Sequence, residues 1–542
     1  MKKILLLTFI CNLILIELSA QTKYWVRFNT KNGTPYSISN PSVFLTARSI
    51  QRRVDYSINV HESDLPVNPS FISQIASVPG ANVIYASKWL NGVVISATSA
   101  AVLTSINNFS FVSSTTPVTK YKVNFPEVSN SATPLNYQSK SNAATHYYGR
   151  SYWQNKQLGL DCIHEQGKKG QGIVIAVLDA GFSGVDINPV FDSLRARGGI
   201  LGTRDFVSGG NSVYEDHFHG AAVLSIMAAV VPSLIVGTAP QADYWLLRTE
   251  DAPTEKIIEE YNWIRGAEFA DSVGADILTT SLGYTEFDIS SQNHTYATLN
   301  GKTAPMSIAA TMAARKGMLV LNAAGNEGNN PWNFISVPAD ADSICTVGAV
   351  DSLVLHASFS SKGPTADGRR KPDFSARGVA TWVSWQSNGA CEAGNGTSYA
   401  TPAVAGALAC FWQAHKNFNN IKVIDTLKKS SSHHMNPDNE VGWGIPTMCA
   451  IPVGLNKNKS NEQTQKLKVY PNPFTNSISI FVDALKNQTF KISIYNAIGQ
   501  EVFTSQSDSY NFNLDLTDLG NGFYFIHVKS LNYSETKKII KN

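Results

Sequence analysis

A parallel α/β sheet flanked by helices, preceded by a small α+β unit and followed by a small all-β, sandwich-like domain, is the architecture that this 542-residue sequence predicts. Three observations carry that expectation. Between about residues 150 and 453, short apolar runs alternate with amphipathic helical stretches, the pattern of a sheet buried on both faces. Two polar tracts, "PEVSNSATPLNYQSKSNAAT" (126–145) and "GLNKNKSNEQTQKL" (454–467), interrupt that order on either side. The length exceeds the roughly 100–200 residues of one ordinary domain.

The first twenty residues, "MKKILLLTFICNLILIELSA", place Lys2 and Lys3 before an apolar run and end on Ser19 and Ala20. This is the pattern of a secretory signal peptide, with cleavage expected after Ala20. From Tyr24 to about Thr119, strand-like runs ("YWVRF", "NVIYAS", "GVVISA") alternate with helix-like ones ("PSVFLTARSIQRRV", "SFISQIA", "AAVLTSI"), a small α+β unit followed by the first polar tract. That tract is exposed and cleavable in character. The block 146–453 holds the strands "GIVIAVLDAG", "ADYWLLR", "ADILTTSLG", "GMLVLNAAGN" and "ICTVGAV". Residues 468–542 then read as strands separated by turn residues. No later segment has the roughly 18 apolar residues of a spanning helix, so the mature chain is expected to carry no transmembrane segment.

Composition narrows the function. Hydrophobic residues make up 43% and charged residues 16%, the balance of a globular protein. The net charge of +3 argues against a nucleic-acid partner held through its phosphates. Once Cys11 leaves with the signal, Cys162, Cys345, Cys391, Cys410 and Cys449 remain, enough for at most two disulfides, and their spacing fits no zinc site. Cys410, inside "AVAGALACFW", reads as a small core residue.

Serine is a weak nucleophile until a histidine takes its proton, and the histidine needs a carboxylate to hold its tautomer and charge. The large block offers all three. Asp179 ends the strand run "GIVIAVLDAG", where function in parallel sheets collects. His219 opens "HGAAVLSIMAAV", a helix entrance lined by small residues. Ser398 lies in "GNGTSYATP", where Gly394, Gly396, Thr397, Ala400 and Thr401 leave room for a substrate carbonyl and Pro402 is expected in the first turn of a long apolar helix. Asn326, just after "GMLVL", can give a side-chain amide to an oxyanion. Taken singly, these residues have plainer roles as caps and turns; together they form the parts of one catalytic apparatus.

In the chain order Asp179, His219, Ser398, these motifs resemble the subtilisin-like serine peptidases, the subtilase family. "VLDAGF" is similar to the family's Asp motif, "HGAAV" to its His motif, "NAAGNEG" to its oxyanion Asn motif and "GTSYATP" to its Ser motif. An α/β-hydrolase would run Ser, Asp, His, and a chymotrypsin-like enzyme His, Asp, Ser. The resemblance implies a subtilisin-like fold and peptide-bond hydrolysis with Asp179, His219 and Ser398 as catalytic residues. It places Asn326 in the oxyanion hole, and Ser281, Leu282, Gly283, Ala323, Ala324 and Gly325 against the substrate. "FSSKGPTADGRRKPD" at 359–373 matches further; Ala221 and Ala403 stand where the family usually has Thr and often has His, and Arg377 where Pro is common.

The resemblance extends to both ends. Residues 21–145 look like a propeptide that assists folding and blocks the site until cut. Residues 468–542, with "YPNPF", "YNAIGQEV" and "LGNGFYFIHV", resemble the carboxyl-terminal sorting domain of the Bacteroidetes type IX secretion system. The expected partners are therefore protein or peptide substrates and the type IX machinery, and the expected location is outside the cell or on its surface. The resemblance requires no cofactor; it leaves structural calcium open, with no residue assigned, although "PADADS" at 338–343 offers oxygens. The competing expectations are a catalytically inactive surface or binding protein on a subtilase fold and an adhesin working through its carboxyl-terminal module.

Overall fold

The computed structural model describes residues 22–118, 147–448, 467–482, 489–496, 500–530 and 533–542. Contacts divide the chain into two compact units, Met1–Val453 and Gly454–Asn542. The leader, the first polar tract and all but Leu467 of the second lie outside the described residues.

The first unit begins with a subdomain of β1 (Thr22–Phe28), α1 (Ala47–Asp55), α2 (Pro69–Ala76), β2 (Ala81–Ser87), β3 (Gly92–Ala97), α3 (Ala100–Asn107) and β4 (Val112–Pro117). Local chemistry starts its helices: Thr46 accepts from the Ser49 amide, and Asn68 caps α2 through the Ser70 amide with Pro69 behind it. The strands form an antiparallel sheet in the order β2-β3-β1-β4. Alternation then splits their side chains between two cores. Val26, Phe28, Val93 and Ile95 pack with Ile75, Val102 and Ile106 of α2 and α3, while Trp25, Val94, Tyr85 and Trp89 join the core of the following domain. Strand β4, "VSSTTP", was not expected, because it has one large apolar residue and lies at the sheet edge.

The following domain contains α4 (Tyr152–Gln157), α5 (Leu160–Glu165), β5 (Val174–Asp179), α6 (Asp192–Ala196), β6 (Ile200–Asp205), α7 (His219–Ala228), β7 (Val230–Val231), β8 (Ile235–Val236), β9 (Asp243–Arg248), α8 (Ile258–Val273), β10 (Ile277–Thr280), α9 (Pro305–Arg315), β11 (Leu319–Ala323), β12 (Cys345–Val350), β13 (Phe374–Arg377), β14 (Thr381–Val383), β15 (Glu392–Gly394), α10 (Thr397–Ala414) and α11 (Asn420–Lys428). Seven strands form an all-parallel sheet, β13-β12-β11-β10-β5-β9-β6. The five expected strands are its inner members; β6 and β13, the edges, were missed. Edge strands need no continuous apolar run, and β6 ("ILGTRD") is largely half-exposed. Inside the sheet, alternate residues again face opposite ways. Ile175 and Val177 of β5 enter the core holding α7 and α10, and Val174, Ala176 and Leu178 the core holding α8 and α9.

The second unit is all-β: β16 (Leu467–Tyr470), β17 (Ser477–Val482), β18 (Phe490–Tyr495), β19 (Glu501–Ser507), β20 (Asn511–Asp515), β21 (Gly522–Ser530) and β22 (Tyr533–Lys541). Two sheets, β16-β17-β20 and β19-β18-β21-β22, share one core of Ile478, Ile480, Ile492, Ile494, Ile526 and Val528. Pro471 and Pro473, which donate no backbone hydrogen bond, divide "KVYPNPFTNSISIFV" into β16 and β17.

Cys162 is disulfide-bonded, whereas Cys345, Cys391 and Cys410 are free. Cys410 is fully buried in α10.

Candidate active site

Asp179 is the last residue of β5, between β10 and β9, and is fully buried. Its Oδ1 accepts from the Ala180 amide and from His219 Nδ1, both at 2.8 Å. His219 is the first residue of α7, held there because Gly220 packs on Gly181, where any Cβ would come within 2.3 Å of the Gly181 carbonyl. The imidazole is 21% exposed, so it opens on solvent while its carboxylate partner is fully buried. Burial opposes protonation of the ring, but the charge and hydrogen bond of Asp179 outweigh it and raise the pKa.

Ser398 is the second residue of α10, and its amide therefore has no intrahelical acceptor. Pro402 is the sixth residue of that helix, not in the first turn as expected. The consequence falls on Ser398: proline lacks the N–H that the Ser398 carbonyl would accept four residues on. Ser281 supplies it. Its hydroxyl donates to the Ser398 carbonyl at 2.9 Å, and the Ser398 hydroxyl donates back to the Ser281 carbonyl at 3.1 Å. In this state the Ser398 hydroxyl proton is directed at the Ser281 carbonyl.

Asn326 follows β11 after Ala324 and Gly325. Its Oδ1 accepts from both the amide and the hydroxyl of Thr397, each at 3.0 Å. That pairing caps α10 and fixes the amide's orientation, leaving Nδ2 as the free donor beside the Ser398 backbone. Ser281, Leu282 and Gly283 extend beyond β10, and Asn322 Nδ2 holds the Leu282 carbonyl at 3.2 Å. His219, Ser281, Leu282, Gly283, Ala323, Gly325, Asn326, Thr397 and Ser398 line one cleft of about 270 Å³; Ala324 and the buried Asp179 do not.

Residues not singled out from sequence also line it: Glu250, Glu255, Glu327 and Ser336. Glu250 lies two residues past the carboxyl end of β9, the position that drew attention to Asp179, so strand-end logic could have found it. Tyr284 donates to Glu250 at 3.2 Å; burial and the Asp179 charge push its carboxyl up to about 7. Glu255 is pushed up to about 8 by burial and by Glu250. His217, a neighbour of His219 in sequence, lines the cleft and accepts from the His219 amide at 3.3 Å.

Asp340, within the "PADADS" segment, is committed elsewhere: Oδ2 accepts from the Gly301 amide and Oδ1 from the Ser307 hydroxyl, both inside the protein. Among the described residues, no group of three or more His, Cys, Asp or Glu side chains is placed to hold a metal ion, and no helix is long and apolar enough to cross a membrane.

The subtilase family matches residues 170–444, a peptidase S8 propeptide domain of Bacteroidota matches 23–136, and a secretion system C-terminal sorting domain matches 468–542. Subtilisin E of Bacillus subtilis is 32% identical over 296 residues, which is 53% of this chain and 68% of that protein. Subtilisin of Bacillus pumilus is 32% identical over 284 residues, 51% of this chain and 90% of that protein. A solved structure of MycP1 with its amino-terminal propeptide removed aligns with 56% of this chain and 98% of that one, at 21% identity and a TM-score of 0.45. The sorting domain marks the chain for the cell surface or beyond. With a seven-stranded parallel sheet, a propeptide domain before it and a type IX sorting domain after it, the chain belongs to the subtilase family of serine peptidases.

Proposed function

We propose that this protein is a secreted serine endopeptidase that hydrolyses peptide bonds in proteins through an acyl-enzyme. The observation that carries the reading is the 2.8 Å bond from His219 Nδ1 to Asp179, with His219, Ser398 and Asn326 lining the same cleft. Ser398 Oγ turns from the Ser281 carbonyl to His219 Nε2, which takes its proton as Oγ attacks the scissile carbonyl. The oxyanion is held by Asn326 Nδ2 and the Ser398 amide. His219 passes the proton to the leaving amine, and water then releases the acyl group by the same path reversed. The peptide lies extended along Ser281 to Gly283, with Ala323 to Gly325 as one wall of the pocket for its side chain. Residues 1–20 serve as a leader, 21–145 as propeptide and linker, 146–453 as the peptidase, 454–467 as a second linker and 468–542 as the sorting module. Labelling with a fluorophosphonate, followed by peptide mapping, tests the reading: the adduct should be on Ser398, and an adduct on any other residue would move the nucleophile.

Asn326→Ala should lower kcat by about 10²–10³-fold, the loss that removing one oxyanion donor causes in a subtilisin. KM should change little. Because Oδ1 also caps α10, the variant should lose about 1 kcal/mol of stability as well, seen as a lower melting temperature.

Only the neutral imidazole can accept a proton, so kcat/KM should rise with pH through the His219 pKa, which lies above the ordinary 6.5. Asp179 is the main cause of the raised pKa, and Glu250, whose own carboxyl is pushed up to about 7, adds to it once it ionises. Glu250→Gln should therefore move the acid limb of the pH profile to lower pH, read from kcat/KM between pH 5 and 9.

A further inference from the structure

We propose, on the basis of the peptidase reading, that Ser336 makes the pocket beside Ser398 select a short, hydrogen-bonding side chain on the residue that precedes the scissile bond. The carbonyl attacked by Ser398 sits by Asn326, so the side chain on that residue enters between the segment 281–283 and the segment 323–325. Ser336 lies between those two walls. A Cβ on Gly283 would come within 2.1 Å of its hydroxyl, and one on Gly325 within 3.1 Å. The hydroxyl thus occupies the space that both glycines leave open, and the slot is shallow.

Its backbone cannot retreat. The Ser336 amide donates to the Ala324 carbonyl at 3.1 Å, the Ala339 amide donates to the Ser336 carbonyl at 2.8 Å, and the next residue, Val337, exchanges hydrogen bonds with Tyr284 beside Gly283. Ser336 is therefore fastened to each wall. It is 3% exposed, lines the cleft, and its Oγ has no hydrogen-bond partner in the protein. Buried hydroxyls are almost always paired, and this one both gives and accepts a hydrogen bond. A substrate Ser, Thr or Asn side chain fits the depth and satisfies the hydroxyl. Ala fits without satisfying it, and Phe, Tyr or Leu collides with it.

The test is a peptide library varied at that one position and cleaved by the mature form of the full chain, with kcat/KM read for each member. The wild type should favour Ser, Thr and Asn over Ala by about tenfold or more, and over Phe, Tyr and Leu by a larger factor. Ser336→Ala should abolish the preference for the polar residues over Ala. Ser336→Gly should raise cleavage after Phe and Leu at least tenfold. A wild type that prefers Phe, Tyr or Leu, or two variants that keep its profile, would overturn the role of Ser336 while leaving the peptidase reading intact. If neither variant folds, the wild-type profile alone decides. Absence of both cleavage and phosphonate labelling at Ser398 in the wild type would overturn the peptidase reading itself, and this inference with it.

Discussion

Ser398→Ala should lower kcat by on the order of 10⁶-fold, the size of the loss when the triad serine of a subtilisin is removed, and should leave the fold in place. Both halves follow from how Ser398 is held. Its hydroxyl makes one bond, to the Ser281 carbonyl, so its removal strips a single acceptor of its partner, worth about 1 kcal/mol. The bond that supports α10 runs the other way, from the Ser281 hydroxyl to the Ser398 carbonyl, and uses only backbone at Ser398. The carbonyl freed by Pro402 stays satisfied in the variant. Casein cleavage and phosphonate labelling should both disappear while the circular dichroism spectrum and melting temperature remain near those of the wild type. Retained cleavage with a normal melting temperature would assign the chemistry to another residue.

Much of this arrangement could be read from sequence, and the parts that could not share a physical cause. β5 announces itself because every residue from Val174 to Asp179 is buried and the apolar run is unbroken up to the aspartate. His219 and Ser398 are legible because small residues crowd both, Gly220, Ala221 and Ala222 after the one and Gly394, Gly396 and Ala400 around the other. β4 and β6 were missed because an edge strand can be half-paired and half-wet, its sequence free to look like a loop, and β13 because it is only four residues long, "FSAR", although three of them are buried. The exchange of hydrogen bonds between Ser281 and Ser398 spans 117 residues, and no local periodicity encodes it. Pro402 hints at it only if it is placed in the second turn of α10, where a carbonyl needs a substitute donor. Placed in the first turn, it asks for nothing. Ser336 and Glu255 belong to loops, and only the convergence of those loops on one cleft gives them meaning.

The second large effect is expected where the amino-terminal subdomain meets the peptidase. Asp271, on α8, is fully buried beneath α1. It is bonded through Oδ1 to Arg52 and through Oδ2 to Arg53, the latter at 2.9 Å. Arg53 also meets Asp64 at 2.7 Å, and Lys316 of the peptidase reaches the same Asp64 oxygen at 2.7 Å. Each partner is almost fully shielded from water. Asp271→Asn would leave Arg52 and Arg53 buried with one carboxylate between them, and breaking a buried pair from one side costs about 3–5 kcal/mol. In a Ser398→Ala background, the variant should speed amide exchange in β1 to β4 by about 10²–10⁴-fold, provided exchange there follows undocking. Replacing Arg52, Arg53 and Asp271 together by Met, Met and Leu should cost less, because Asp64 keeps Lys316 and only Lys88, 3.9 Å from Asp271, loses an ionic partner. The two guanidinium groups overcome the effect of burial and hold the Asp271 carboxyl down at about 2, against an ordinary 3.8. A depressed carboxyl pKa contributes stability that is fully present above about pH 4 and is lost as pH falls from there towards 2. This contact should therefore hold throughout the range from pH 5 to 8, so acidification within it should not free the subdomain by way of Asp271. Faster exchange on lowering the pH from 8 to 5, abolished by Asp271→Asn, would contradict that conclusion.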